Sequence, residues 1–179
     1  MKGPRLTTLC HLERNGCYLM LHRVKKEIDI NKGKWIGVGG KFERGESPED
    51  CVMREVFEET GFRLKGFCYR GLITFIYDTK DPEYIFVYSS TEFDTANAGA
   101  GSSKIDTAGD MPVPDCDEGI FAWVPKKDIM DLELWEGDRF MLSYLIRDRR
   151  EPFSLKLCYD ASDNLTEAWE MAAKPVRLK

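Results

Sequence analysis

The sequence lacks any apolar run long enough to cross a membrane, and its first ten residues contain no apolar signal segment. It also lacks an excess of positive charge, since the net charge of the 179 residues is −5. Such a balance disfavours binding to duplex nucleic acid or to an anionic membrane. The sequence therefore predicts a cytoplasmic protein with neither polymeric nucleic acid nor a membrane as a partner.

Histidine is scarce and paired cysteines are missing. The chain has two histidines and six cysteines, and no two cysteines form a CxxC pair. These features disfavour a zinc finger or zinc ribbon. Scattered single cysteines are more typical of small buried side chains in a reducing compartment than of a disulfide framework.

The length and composition predict one globular domain over residues 1–179. Hydrophobic residues make up 42% of the chain and charged residues 32%, which is ordinary for such a domain. The stretch 94–117 is small, polar and rich in glycine and alanine, which predicts a flexible loop insertion within the domain.

The order of apolar runs predicts an α/β fold. Strands are expected at 6–12, 17–23, 67–77, 84–90, 120–124, 153–159 and 164–171. Helices are expected at 48–60, briefly within 126–134, and over 137–150. Residues 24–34 are charged and predict a loop. Strands on both sides of a central helix, with a second helix late in the chain, favour a mixed sheet covered on both faces.

The segment from Gly39 to Phe62, GGKFERGESPEDCVMREVFEETGF, contains six glutamates. Its helix has clear end signals: Ser47 suits the N-cap, Pro48 the first helical position, and Asp50 the acceptor position of a capping box. Gly61 suits the position just after the last turn. The sequence therefore predicts a helix over residues 48–60.

Three glutamates of this helix fall on one face. At about 100° per residue, Glu55, Glu58 and Glu59 lie within one arc. The opposite face, which we expect to pack on the core, carries Met53, Val56, Phe57 and Thr60. Like charges at these spacings destabilise a helix, whereas a divalent cation such as Mg²⁺ or Mn²⁺ uses several carboxylate oxygens at once.

A solvated acidic face is the alternative to a metal site, and it is the common case for acidic helices. Two features favour the metal. Gly37, Gly39 and Gly40 precede the helix and let backbone approach a ligand closely. Arg54 lies beside the glutamates, where it can orient a carboxylate.

These residues resemble the Nudix signature GX5EX7REUXEEXGU, in which U is a bulky apolar residue. Gly40, Glu46 and the run Arg54–Phe62 match it at all nine constrained positions, with Phe62 as a mild variant. The resemblance is strongest to MutT-type and oxidised-purine nucleoside triphosphatases. It implies an α/β/α sandwich, the Nudix fold, with the signature as a loop–helix–loop on a mixed sheet.

The resemblance also implies a reaction and a metal site. Nudix enzymes hydrolyse nucleoside diphosphates linked to another group, using Mg²⁺ or Mn²⁺. The implied metal ligands are Glu55, Glu58, Glu59, Glu118 and the carbonyl of Gly39. Glu55 or Glu59 is the expected general base, and Glu118 is a third candidate. Arg54 and Glu46 are expected to support the catalytic loop and helix.

The substrate contacts follow from the same resemblance. Lys41 and Arg23 are placed to bind phosphate oxygens. At the base, the residues implied are Thr8, Phe75, Tyr77, Trp135 and Asp138. The leading substrate is 8-oxo-dGTP, cleaved to 8-oxo-dGMP and pyrophosphate by a monomer or homodimer.

Two positions depart from the base-reading pattern of the vertebrate-type enzyme. Ile36 stands where that enzyme has an asparagine, and Gly137 replaces the first of two aspartates. Other substrates therefore stay open: dNTPs in general, ADP-ribose and dinucleoside polyphosphates. A nucleotide-sensing module that binds without cleaving is the rival from another class.

Overall fold

The computed structural model describes residues 3–95, 111–172 and 175–178. Its strands form a mixed nine-stranded sheet in the order β3-β2-β1-β5-β4-β7-β8-β9, with β6 paired to β2. The β1–β5 and β4–β7 pairs are parallel, and the other pairs are antiparallel. The strands are β1 Arg5–Arg14, β2 Cys17–His22, β3 Trp35–Ile36, β4 Arg63–Tyr77, β5 Glu83–Asp94, β6 Ile120–Pro125, β7 Phe153–Tyr159, β8 Leu165–Glu170 and β9 Val176–Arg177.

Alternation along the strands builds a core on each face of the sheet. In β2, Leu19 and Leu21 pack into the core beneath the first helix, whereas Tyr18 and Met20 pack into the core beneath the second. This follows from the two-residue period of a strand. The predicted α/β/α sandwich is confirmed.

The first helix, α1, spans Pro48–Thr60 as predicted. Ser47 and Asp50 form the capping box, and Gly61 ends the helix with a φ of 71°. The predicted core face is half wrong, because Met53 and Phe57 are exposed. The buried face instead comprises Cys51, Val52, Val56 and Thr60. The periodicity was right, but the sheet covers a stripe displaced toward Cys51 and Val52.

The second helix, α2, spans Asp138–Ile146 and is shorter than predicted. The predicted helix within 126–134 is a single 3₁₀ turn, Ile129–Asp131. The predicted hairpins, β1–β2 and β7–β8, are both present. Glycine and asparagine at the first turn have positive φ, since Asn15 is at 52° and Gly16 at 73°.

The predicted loop insertion at 94–117 lies largely outside the described residues. Asp94 is the last residue of β5, and Met111 is buried against the α1-side core. All six cysteines are described and none forms a disulfide; three of them, Cys10, Cys17 and Cys51, are buried. In the described ranges, no helix is long and apolar enough to span a membrane.

Candidate active site

A cavity of about 550 Å³ lies between the loop that precedes α1 and the segment that precedes α2. Glu55 and Glu59 line the cavity where they meet Gly40 and Gly39, and Lys41 follows in the same loop; we call this part the ionic end. Phe75 and Trp135, whose ring centroids are 6.5 Å apart, mark the part that we call the aromatic end, and Ile73 and Ile85 also line the cavity. The ion pair of Arg5 with Glu83 is part of the lining as well, and Glu83 pairs with Phe75 in the sheet. The volume of the cavity lies within the usual range of small-molecule sites, roughly 300–1,000 Å³.

The loop before α1 approaches the sheet so closely that only glycine fits. A Cβ on Gly39 would lie 2.1 Å from the carbonyl oxygen of Thr8. A Cβ on Gly40 would lie 2.4 Å from each oxygen of the Glu55 carboxylate. These glycines therefore let the loop and the glutamates of α1 share one wall of the cavity.

Arg54 organises the acidic face of α1. Its Nε and Nη2 donate to the two carboxylate oxygens of Glu46, at 2.6 and 3.0 Å, in a forked ion pair. Its Nη1 donates to Glu55 at 2.8 Å and to Glu58 at 3.0 Å, and Nη2 also donates to the carbonyl of Lys41. Hydrogen bonding to Arg54 lowers the pKa of Glu46 to about 2. The predicted supporting roles of Arg54 and Glu46 are consistent with this network.

Glu59 is a weakly compensated carboxylate of the site. Its Oε2 accepts a hydrogen bond from the backbone N–H of Gly39 at 3.3 Å, and no described basic side chain bonds to it. Burial, with a smaller contribution from the charge of Glu55, raises the pKa of Glu59 to about 7. A partly exposed carboxylate oxygen without a basic partner is a suitable ligand for a hard divalent cation.

Glu118 enters the same cavity from the segment before β6. It pairs with Arg23 and Lys26, which also line the cavity. Arg23 further donates from Nε to Asp29 at 2.7 Å. Arg23 is therefore held by two carboxylates, and its expected contact with phosphate stays a prediction.

The carboxylates of Glu55, Glu59 and Glu118 line one cavity, and carboxylate oxygens are suitable ligands for a divalent cation. In the described part of the chain, however, no three acidic, histidine or cysteine side chains form a metal-binding cluster. The reason is visible in the contacts: Arg54 holds Glu55, and Arg23 and Lys26 hold Glu118. Glu58 does not line the cavity and its side chain is 56% exposed. Its role as a metal ligand stays a prediction.

The predicted base contacts divide into two groups. Thr8, Phe75, Trp135 and Asp138 line the cavity. Tyr77 does not; its hydroxyl donates to Asp163 at 2.7 Å, at the turn between β7 and β8. Tyr77 points to the same face of β4 as Phe75, but it lies two residues further along the strand and does not line the cavity.

Two of these residues are less accessible than expected. Trp135 is only 7% exposed and belongs to the core, although it also lines the cavity. Thr8 is 3% exposed, and its hydroxyl is 3.4 Å from the thiol of Cys51. Asp138 begins α2, and burial raises the pKa of its carboxyl to about 7.

Sequence reasoning missed the contribution of the loop 24–34. Asp29, Ile30 and Asn31 line the cavity. The carboxylate of Asp29 accepts from the backbone N–H of Asn31 at 3.0 Å, which is the Asx turn that an Asp-Ile-Asn run can form. Tyr159 was also missed: its hydroxyl accepts from the backbone N–H of Gly137 at 2.7 Å.

The sheet, the glycine loop and the glutamate-bearing helix together define a Nudix-type phosphohydrolase site. The family model described as "NUDIX domain" matches residues 3–145. The chain belongs to the Nudix family, and it is a hydrolase acting on pyrophosphate bonds.

The individual relatives share only part of this sequence. The chain is similar to the uncharacterised Nudix hydrolase YvcI of Bacillus subtilis, with 29% identity over 140 residues and 78% of each chain. A 58-residue segment, 32% of this chain and 22% of the relative, is 40% identical to the NAD-capped RNA hydrolase NudC of Haemophilus influenzae.

Solved structures show the same fold. A MutT protein from Bacillus halodurans matches with a TM-score of 0.74 at 20% identity, covering 92% of this chain and 95% of that one. The Nudix domain of NrtR from Shewanella oneidensis, in complex with ADP-ribose, matches with a TM-score of 0.59 at 16% identity, covering 83% and 90%.

Proposed function

We propose that this protein hydrolyses 8-oxo-dGTP to 8-oxo-dGMP and pyrophosphate in the cytoplasm, as a single domain over residues 1–179 that uses Mg²⁺, with Mn²⁺ as a substitute. The observation that carries the proposal is one cavity whose lining combines charged side chains beside the glycine loop with a pair of aromatic rings. Glu55, Glu59 and Lys41 supply the charges, and Phe75 and Trp135 supply the rings. A mononucleotide likewise joins a charged polyphosphate to an aromatic base.

The ionic end suits attack on a polyphosphate. When bound there, a divalent cation would neutralise phosphate charge and lower the pKa of a water nucleophile. Glu59, Glu55, Glu118 and the carbonyl of Gly39 would hold it, together with Glu58. Glu55 and Glu59 are the candidates for the general base, because both line the cavity in which the attacked phosphate would lie.

The aromatic end suits a purine. The Trp135 ring and the Phe75 ring meet edge to face, with centroids 6.5 Å apart, and Ile73 and Ile85 line the space beside them. Stacking of a base on an aromatic ring contributes roughly 1–3 kcal/mol. The resemblance of the Gly40–Phe62 signature to MutT-type nucleoside triphosphatases favours a nucleoside triphosphate as the substrate.

A turnover panel tests the substrate. We expect Mg²⁺-dependent pyrophosphate release from 8-oxo-dGTP, with higher kcat/KM than for dGTP, ADP-ribose, NAD or a diadenosine polyphosphate. Higher kcat/KM for ADP-ribose or NAD would overturn the substrate but leave the hydrolase class intact.

The mechanism is tested separately with Glu59→Gln, which keeps the size of the side chain and removes its charge. We expect kcat to fall by about 10²-fold or more. Glu43→Gln, on an exposed residue that does not line the cavity, is the matched control and should behave as the wild type. Full turnover in excess chelator would contradict the metal-dependent mechanism.

A further inference from the structure

Asn31 occupies a defined position at the aromatic end of the cavity. Its Oδ1 accepts a hydrogen bond of 2.9 Å from the indole Nε1–H of Trp135, 104 residues away in the chain. An indole nitrogen can only donate, so the side-chain oxygen of Asn31 must face Trp135. The amide group of Asn31, Nδ2, is therefore the end that remains for a ligand, and no described residue accepts a hydrogen bond from it.

The backbone around Asn31 is held on both sides. Its N–H donates to Asp29 Oδ1, and Asp29 is bound in turn by Arg23 through a 2.7 Å ion pair. Its carbonyl accepts from the backbone N–H of Lys34 at 2.9 Å. The backbone N–H of Trp35 donates to the carbonyl of Glu133, which ties this loop to the segment carrying Trp135. Asn31 is therefore pre-organised before any ligand binds.

Several of the other polar side chains that line the cavity are already paired with one another. Arg5 is paired with Glu83, and Arg23 and Lys26 are paired with Glu118. Ile36, Ile73 and Ile85 also line the cavity and offer no side-chain hydrogen bond. Asp138 lines the cavity and supplies carboxyl oxygens. An amide donor and a carboxyl acceptor together match the edge of guanine, a 6-oxopurine whose O6 accepts while N1–H and the 2-amino group donate. A 6-aminopurine presents its exocyclic amine, a donor, where the 6-oxopurine presents its acceptor.

We infer that Asn31 is a specificity-determining residue, whose Nδ2–H donates to the carbonyl oxygen of a 6-oxopurine base bound against Trp135. The inference rests on the proposed nucleotide-hydrolase function but assigns the base selection to a loop that the family signature does not contain.

The variant Asn31→Asp distinguishes selection of the base by Asn31 from support of the Trp135 ring by Asn31. Its carboxylate still accepts from the Trp135 indole, but its second oxygen accepts where Nδ2 donates. We expect the preference for dGMP over dAMP, measured as the ratio of Kd values by calorimetry in chelator, to fall by about 10- to 100-fold. The ratio of kcat/KM for dGTP and dATP should fall in parallel.

Ile28→Asp is the matched control for the added negative charge. Ile28 belongs to the same loop, is fully exposed and does not line the cavity. We expect this variant to leave the purine ratio unchanged, even if the added charge weakens both nucleotides equally.

An unchanged purine ratio in Asn31→Asp would overturn the inference and leave Asn31 as support for Trp135 alone. In that case Asn31→Leu, which removes both the acceptor and the donor, would weaken both nucleotides by the same factor. Because the binding ratio is measured without turnover, this outcome is independent of whether 8-oxo-dGTP is the substrate.

Discussion

Arg54 and Glu46 form a two-pronged ion pair that fastens the loop before α1 to the helix itself, with Nε–Oε1 at 2.6 Å and Nη2–Oε2 at 3.0 Å. The remaining Nη1 of Arg54 reaches Glu55 and Glu58. One guanidinium thus sets both the course of the loop and the direction of two candidate metal ligands.

Replacing Arg54 with lysine should therefore impair activity even though the positive charge is kept. A lysine ammonium cannot form the planar fork to Glu46 and reach Glu55 at the same time. We expect kcat/KM to fall by about 10- to 100-fold, as is usual when a group that orients metal ligands is lost. Arg44→Lys, at an exposed position of the same loop that does not line the cavity, should retain wild-type kinetics. Equal kinetics for Arg54→Lys and the wild type would contradict the orienting role.

Gly40→Ala should disable the site without unfolding the protein. The added methyl group would lie 2.4 Å from the carboxyl atoms of Glu55, so that side chain must move away. We expect loss of most Mg²⁺-dependent turnover with a nearly unchanged melting temperature. Gly3→Ala meets no atom within 4 Å and is the control. A crystal structure of Gly40→Ala with Glu55 in its present position would refute this prediction.

Tyr159→Phe removes the only oxygen that the buried N–H of Gly137 contacts among the described residues. Leaving that donor unsatisfied costs about 1–3 kcal/mol in the free energy of unfolding. Because Gly137 lies between Trp135 and Asp138, we also expect a higher KM for the nucleotide. Denaturant unfolding and steady-state kinetics measure the two effects.

Tyr77→Phe is the matched control for this experiment. Its hydroxyl bonds to Asp163 at the protein surface, away from the cavity. We expect a change in unfolding free energy below about 1 kcal/mol and an unchanged KM. A KM effect as large as that of Tyr159→Phe would restore Tyr77 as a base contact.

Asp138 predicts a pH dependence of stability. Burial raises the pKa of its carboxyl to about 7, with Lys34 opposing the shift, from an unfolded value near 4. The native state therefore keeps a proton that the unfolded chain releases, and this contribution to stability is lost as pH rises from about 4 to about 7. Asp138→Asn, which stays neutral, should escape that loss.

The measurement is the difference in unfolding free energy between Asp138→Asn and the wild type. We expect the unfolding free energy of the variant, relative to that of the wild type, to rise by about 2 kcal/mol between pH 5 and pH 8. Most of this rise should occur below pH 7. A difference that stays constant with pH would mean that Asp138 titrates normally in the folded protein.

Local rules determined much of the fold in advance. Helix α1 was predicted to the residue, because Ser47, Pro48, Asp50 and Gly61 act through contacts within a few positions of the chain. The β7–β8 hairpin and the alternating strands also follow from short-range patterns. The Nudix signature placed Glu55 and Glu59 on one side of the same helix.

Long-range packing decided what the sequence could not. Met53 and Phe57 are exposed because of the way α1 is rotated about its axis against the sheet. A helical pattern in the sequence shows which residues share a face, but not which edge of that face the sheet covers. The sequence also gave no sign that Asn31 would meet Trp135 or that Tyr159 would hold Gly137, because hydrogen bonds across the fold leave no spacing in the chain. Sequence alone determined that Glu55 and Glu59 share one side of a single helix, because the helical period is a local property. Tertiary structure decided which residues line the cavity around Phe75 and Trp135, because that wall is assembled from segments distant in the chain.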